Sequence, residues 1–476
     1  MAVLGFIVNI LSTPAILVGL LALLGLVLQG KPAEDVLKGT IKTIVGFLVL
    51  GAGSSFLQSD SLLAFGQVFN YAFNMQGVVP NNEAVVADAL KNFGSDSAIV
   101  MACGMVLNIV LARFSRMPYI FLTGHHTLYM ACMLTVILGG AGGLTGPALW
   151  LAAGSILGLI MVLSPAYCQV TYRKVTGGDA IALGHFGGIG YWFAGVIGKL
   201  FAKDPNRKST EEINFSKRLI FLRDTTVSIG ITMFFLFLIV TGVAVARGIL
   251  NVDPTNEAYS HLGVLLNYNQ ETTTNWIVWC ITAGLSFSGG VYIILSGVRL
   301  IIGEIVPAFK GIADKLVPGA KPALDCPVAF TYAPNAVIIG FLSSFVGGIV
   351  GLLILVGVNA AIPVALILPG VVPHFFCGAT AGVFGNAEGG LKGCIAGAFA
   401  HGLLITFLPA ICMPVFTNLG YTGTTFSDAD FSWLGIVFGN LVHFAGGAVL
   451  VAICVVLYLL PIIYNFVAPK KEAKEA

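Results

Sequence analysis

Four ionisable side chains stand in surroundings where charge is expensive. His125 and His126 lie in Leu122-Thr123-Gly124-His125-His126-Thr127, His185 in Gly184-His185-Phe186-Gly187-Gly188, and Asp325 in Ala323-Leu324-Asp325-Cys326-Pro327. Ionisable groups within apolar spans are rare and mark a substrate or ion path by default. Adjacent helical residues point about 100° apart, so one of the two neighbouring histidines is expected to face a site, and His125 is favoured. The glycines around His185 let backbone approach a ligand closely. Asp325 can accept hydrogen bonds from hydroxyls or cap a helix, and the binding role is preferred. Gly53-Ser54-Ser55 follows a basic amphipathic stretch. Its backbone N–H groups and hydroxyls suit an anionic or hydroxylated ligand. Asn386 and Glu388 read as loop residues at a membrane edge, and His261, His374, His401 and His443 as packing or interfacial residues.

The same inventory excludes several chemistries. No His-Glu-x-x-His string is present, so a metal hydrolase using His125, His126 and His185 lacks its ligand spacing, and no metal or other cofactor is expected. There is no phosphate-binding Gly-x-x-x-x-Gly-Lys-Ser/Thr loop, no arginine ladder of a voltage sensor and no repeated filter segment of a channel. The nine cysteines are scattered without a Cys-x-x-Cys pair, and read as small buried apolar residues. What is left is a lining of a few histidines, serines and one aspartate. Hydroxyls need paired donors and acceptors rather than strong opposite charge, so such a lining suits a small polyhydroxylated solute.

The elements that must carry these residues follow from composition. Of 476 residues, 57% are apolar and 10% charged, against about 25% charged in soluble domains. The chain is therefore an all-α polytopic membrane protein, and its net charge of +2 gives no basic face for nucleic acid. A bilayer crossing takes about 20 apolar residues, and spans are predicted at 4–29, 97–113, 118–140, 146–167, 226–250, 276–302, 335–358, 394–417 and 433–463. The first has no signal-peptide pattern and is expected to be retained. Stretches 39–58, 178–200 and 361–386 are apolar but interrupted, as broken helices or re-entrant hairpins would be. Lys31, Lys38 and Lys42, the run from Lys203 to Arg223, and Lys470, Lys471 and Lys474 mark cytoplasmic segments. That places the N-terminus outside and the C-terminus inside, which requires an odd number of crossings; eleven are expected.

The two halves also resemble each other. Met117-Pro118-Tyr119-Ile120-Phe121 is echoed by Val372-Pro373-His374-Phe375-Phe376, Gly142 to Pro147 by Gly389 to Cys394, and Ser97 to Val100 by Asn335 to Ile338. Paired broken segments in two inverted repeats characterise carriers with substrate held near the midplane. The expected division is a first repeat at 1–220, an inverted second repeat at 221–425, and a last helix with a cytoplasmic tail at 426–476.

Lys38-Gly39-Thr40-Ile41-Lys42-Thr43-Ile44 leading to Ala52-Gly53-Ser54, with Leu122-Thr123-Gly124-His125, Gly184-His185, Asp325-Cys326 and Ala333-Pro334-Asn335-Ala336-Val337, resembles the ascorbate-type IIC permease of the bacterial phosphotransferase system, from about residue 10 to 460. That resemblance implies an inner-membrane homodimer of eleven-helix protomers, each with a carrier body moving, elevator fashion, against a fixed dimerisation body. It also implies a cytoplasmic IIB partner, phosphorylated on cysteine by IIA, that phosphorylates the incoming substrate, so that this chain is a transporter subunit and not itself the enzyme. Matching the motifs assigns substrate contacts to Gly53, Ser54, His125, His185 and Asp325, with Ser55, Tyr129 and Phe186 as further lining. Two positions depart from the ascorbate pattern: Tyr129 and Phe186 stand where glutamines are expected. An ion-coupled carrier of a polyhydroxylated solute, with Asp325 or a histidine as its ion site, is the alternative.

Overall fold

The computed structural model describes residues 14–57, 61, 63–74, 77–213, 224–266 and 275–468. The start of the first predicted span, residues 214–223 of the basic loop and the C-terminal lysines lie outside that set. The chain is mostly helical: α1 (Pro14–Leu28), α2 (Ala33–Leu57), α3 (Leu63–Phe73), α4 (Asn82–Phe114), α5 (Gly124–Thr135), α6 (Gly146–Thr176), α7 (Gly188–Lys199), α8 (Thr225–Ala246), α9 (Trp276–Leu316), α10 (Pro334–Asn359), α11 (Ala379–Asn418), α12 (Ala429–Phe444) and α13 (Gly447–Val467). Seven helical stretches among the described residues are long and apolar enough to cross a membrane. Exposed Leu, Ile, Val and Phe side chains are abundant on α1, α2, α9, α10 and α13, as lipid contact requires.

Local chemistry sets the ends. Asn81 caps α4 by accepting from the Ala84 N–H at 2.7 Å. Gly177, at φ 69°, closes α6 in the left-handed conformation. Two reversals use the same device: Gly143 and Gly146 between α5 and α6, and Gly390 within α11, all at positive φ. At Gly390 the helix folds back on itself, bringing Gly385 against the backbone of Gly393. These reversals fall on the predicted Gly142–Pro147 and Gly389–Cys394 pair.

Several expectations are corrected. The chain is not purely α: among the described residues six short strands form two three-stranded parallel sheets, β5-β1-β6 (Leu366–Ile367, Gly77–Pro80, Thr424–Thr425) and β2-β4-β3 (Tyr119–Phe121, Lys321–Leu324, Ala182–Leu183). Predicted span 118–140 therefore opens as a strand, then continues as α5 and a π-helix at Val136–Ala141. Its proposed echo at 372–376 is helical and π-helical, so that pair shares no conformation. Span 433–463 is two helices, because Ala445 and Gly446 are extended. Stretch 39–58 is a continuous helix as far as Leu57, so Gly53-Ser54-Ser55 offers no free run of backbone N–H groups.

Backbone polar groups within a membrane protein must be satisfied internally, and the strands obtain partners across the chain. The central strand of each sheet comes from the opposite half to its neighbours. Gly77 and Val78 pair with Leu366 and Ile367, and Val79 and Pro80 with Thr424 and Thr425. In the second sheet Lys321 to Ala323 pair with Tyr119 to Phe121, and Ala323 and Leu324 with Ala182 and Leu183. The register is the same in both. Buried Asn108 of α4 completes the free edge of β2, accepting from Phe121 N–H at 3.1 Å and donating to Tyr119 O at 3.0 Å.

Candidate functional site

The strands are short, but each ends at one place. The residues just beyond β1 (Asn81, Asn82, Glu83), β2 (His125, His126), β3 (His185), β4 (Asp325, Cys326, Pro327), β5 (Val372, Pro373) and β6 (Ser427, Asp428) all line one cavity of about 220 Å³. Tyr129, Phe376, Cys377, and Val291 and Arg299 of α9 complete its wall. Drug-sized pockets run from about 300 Å³ upward, so this one is sized for a single small ring or short polyol.

Of the residues singled out in the sequence, His125, His185, Asp325 and Tyr129 share this cavity. Phe186 is fully buried beside it, stacked on Phe121 at 4.5 Å between ring centres. Gly53 is buried and Ser55 exposed, and neither is among the cavity's described lining; the side chain of Ser54 lies outside the described set.

Asp325 does both things its sequence allowed. It caps the short helix Cys326–Phe330, accepting from Cys326 N–H at 2.7 Å, and it faces two imidazoles. His125 Nε2 lies 3.7 Å from its Oδ2 and His185 Nε2 lies 4.0 Å from its Oδ1. Both separations exceed hydrogen-bonding range, so each leaves a gap that an intervening polar atom could bridge.

The neighbouring histidine also belongs here, contrary to the expectation that only one of the pair would face the site. His126 is buried, its ring 3.8 Å from that of His185, with its Nε2 3.8 Å from Asp428 Oδ2. The two histidines occupy the first turn of α5, which starts at Gly124 directly after the strand's end, so both rings reach the cavity. Loop-to-loop bonds hold the arrangement. The Thr123 hydroxyl donates to Gly184 O. Ser427 N–H donates to Asn82 Oδ1 at 2.9 Å, and its hydroxyl donates to Asp428 Oδ1 at 2.6 Å. Asp430, buried in the first turn of α12, accepts from Ser164, Tyr167, Trp433 and the Gly188 and Ile189 N–H groups, while its own N–H donates to Phe186 O.

Sequence reasoning missed Asp428, Ser427 and the Asn81-Asn82-Glu83 turn. Asp428 and Asp430 lie just before the predicted span that begins at 433, and Asp428 stands where a helix-capping acid would. Asn386 and Glu388 are not loop residues but part of the scaffold. Glu388 is buried, accepting from Thr171 at 2.8 Å and pairing with Lys174 at 2.7 Å, and Asn386 accepts from Thr210 N–H.

A cavity walled by strand ends from both halves, with histidines and carboxylates inside an otherwise apolar helical body, has the size and lining to hold a small polar solute. Over residues 9–430 the chain matches the family described as the PTS system sugar-specific permease component, EIIC-GAT, and it belongs to that family. It is similar to the ascorbate-specific PTS system EIIC component of Mycoplasma pneumoniae (strain ATCC 29342 / M129 / Subtype 1), with 26% identity over 93% of this chain and 71% of that protein. The protein is thus a multi-pass membrane transporter component of the phosphotransferase system (PTS), in which phosphoryl transfer belongs to other subunits.

Proposed function

We propose that this chain takes up L-ascorbate, or a related sugar or sugar acid, and delivers it to a cytoplasmic IIB protein that phosphorylates it with phosphate received from IIA. The observation that carries this reading is the pairing of each Asp325 oxygen with one imidazole nitrogen, at 3.7 and 4.0 Å. A hydroxyl oxygen about 2.8 Å from each partner fits such a gap, accepting from the imidazole and donating to the carboxylate. Two neighbouring hydroxyls fill both gaps at once. The named relative supports ascorbate, while Tyr129 and Phe186 in place of glutamines extend the candidates to other polyhydroxylated solutes.

We further infer an inverted repeat and an elevator-type movement. The shared register of the two sheets supports the repeat: Tyr119 corresponds to Leu366, Ala182 to Thr424 and Lys321 to Gly77. On this reading 1–220 is the first unit and 221–425 the second, extended by α12, which follows β6 as α7 follows β3. One apolar core draws mainly on α1, α2, α3, α8 and α9, a body suited to fixed homodimeric contact. The helices and strand ends around His125, His185 and Asp325 form the other, which carries the solute. Gly53 and Ser54 lie just before Leu57, which packs on Gly290 beside the lining Val291; we assign them to the wall the solute passes. The N-terminus is outside and the C-terminus cytoplasmic in a bacterial inner membrane with eleven crossings.

Titration calorimetry of the purified protein against L-ascorbate, pentoses, pentitols and sugar acids tests the substrate. Saturable binding of at least one of these is expected, and none binding in any condition sinks the reading.

A further inference from the structure

His185 is held at one ring nitrogen by two groups. Gly187 N–H donates to Nδ1 at 3.1 Å, and the Tyr191 hydroxyl lies 2.7 Å from the same atom. A backbone N–H can only donate, so this contact, near the long end of hydrogen-bond range, favours a lone pair on Nδ1 and the ring proton on Nε2 without fixing that form alone. The Tyr191 hydroxyl must then donate as well. Nε2 is the nitrogen that faces Asp325.

A competing pull acts on the other side. Asp428 Oδ2 lies 3.9 Å from Nδ1, and a carboxylate there favours a proton on Nδ1. Cys377, which meets the Tyr191 hydroxyl, and His401, stacked beside the Tyr191 ring, are further polar neighbours. The rings of His126 and His125 lie toward the cavity, and Asp430 is linked to His185 through Ser164, whose hydroxyl is 3.1 Å from His185 O and 2.9 Å from Asp430 Oδ2.

We propose that Tyr191 is a positioning residue that fixes the tautomer of His185, so that the cavity always presents an Nε2–H donor beside Asp325. The proposal rests on the reading that this face of His185 meets the solute. Tyr191 is fully buried in the first turn of α7, and one detail of the sequence accords with its role. Gly187 has an ordinary negative φ, yet a Cβ there would overlap the Tyr191 hydroxyl. The glycine of Gly184-His185-Phe186-Gly187 is therefore needed for the approach of that hydroxyl, not for a turn.

Two variants displace the hydroxyl by different routes: Tyr191→Phe deletes it, and Gly187→Ala pushes it aside while keeping the 187 N–H. The readout is long-range proton–nitrogen NMR of the ring in nitrogen-15-labelled protein without ligand, with His185→Gln assigning the signals. The wild type is expected to show one Nε2–H form, and each correctly folded variant a new Nδ1–H population. An Nδ1–H form in the wild type, or an unshifted tautomer in both variants, overturns the proposal. Calorimetry with L-ascorbate should show affinity weakened about five- to tenfold in Tyr191→Phe, the loss of one aligned donor; unchanged affinity alongside a shifted tautomer overturns the recognition role. The NMR measurement needs no ligand, so a wild type that ignores L-ascorbate counts against the substrate reading and leaves the tautomer result standing on its own.

Discussion

His125 and His185 make the sharpest case for residue-level chemistry, because each covers a different oxygen of Asp325. Truncating either one removes the donor proposed for a solute hydroxyl beside the partly buried Asp325, at about 1–3 kcal/mol. His125→Ala and His185→Ala should each weaken solute affinity roughly 5- to 150-fold while the protein stays folded. Undiminished affinity by calorimetry in both would remove them from the site. These residues were legible in the sequence because an ionisable group in an apolar run is costly enough to need a reason. The partners opposite were not. Asp428 stands at a strand end in space but beside a helix start in sequence, and nothing local distinguishes it from a capping acid. The 100° step between adjacent helical residues argues against His126, yet in the first turn of α5 both rings border the cavity. Gly53 to Ser55 drew attention as an interrupted segment, and only the continuous helix through Leu57 shows otherwise.

Strands of two to four residues leave no periodicity to read, so the two sheets are invisible to hydropathy, whereas the long helices and both glycine reversals are not. Their positioning depends on ties that sequence spacing cannot show. Asp179, in the exposed turn after α6, accepts from Lys321 Nζ at 2.5 Å, Arg173 Nε at 2.9 Å and Gln169 at 2.7 Å, anchoring the start of the strand that ends at Asp325. Lys321 foremost, with Arg173, holds the Asp179 carboxyl well below the usual range. A carboxylate stabilised in the fold contributes fully above its unfolded value of about 3.9, and that contribution is lost as pH falls through the lower folded value. Solvent screening limits it to about 0.5 kcal/mol. Asp179→Asn should therefore melt slightly below the wild type at pH 7, with the difference shrinking below about pH 4; a pH-independent difference would reject the ion-pair account. Helix contact is less forgiving. At Gly402 of α11 a Cβ would overlap the Ser344 carbonyl oxygen of α10, backbone that cannot swing aside. Gly402→Ala is expected to cost ~1–3 kcal/mol, read as a lower melting temperature in detergent, and an unchanged melt would show that α10 and α11 are free to separate.

Seen as one molecule, the chain gathers polar groups inside and leaves its outer faces to lipid, and the question becomes what drives the solute inward. Two energy sources compete: phosphorylation by a partner, and an ion gradient acting on Asp325, Asp428 or Glu83 in the cavity. The cysteines bear on this. Eight of the nine are buried and Cys103 is half-buried, and two of the buried ones, Cys326 and Cys377, line the cavity; phosphoryl transfer in this family lies in other subunits. Under the phosphorylation reading, the solute leaves the cavity for good only when phosphate changes its charge and size, because the same gaps beside Asp325 would otherwise rebind it. Inverted vesicles and whole proteoliposomes separate the two. With IIA, IIB and a phosphoryl donor enclosed on the cytoplasmic face, labelled L-ascorbate should accumulate as its phosphate ester. With a proton or sodium gradient and no phosphoryl donor, only exchange to equal concentrations is expected. Concentrative uptake of unmodified solute under the gradient alone would transfer the driving role to the buried carboxylates, and loss of that uptake in Asp428→Asn but not in Lys392→Gln, a surface change at the reversal of α11, would locate the ion site.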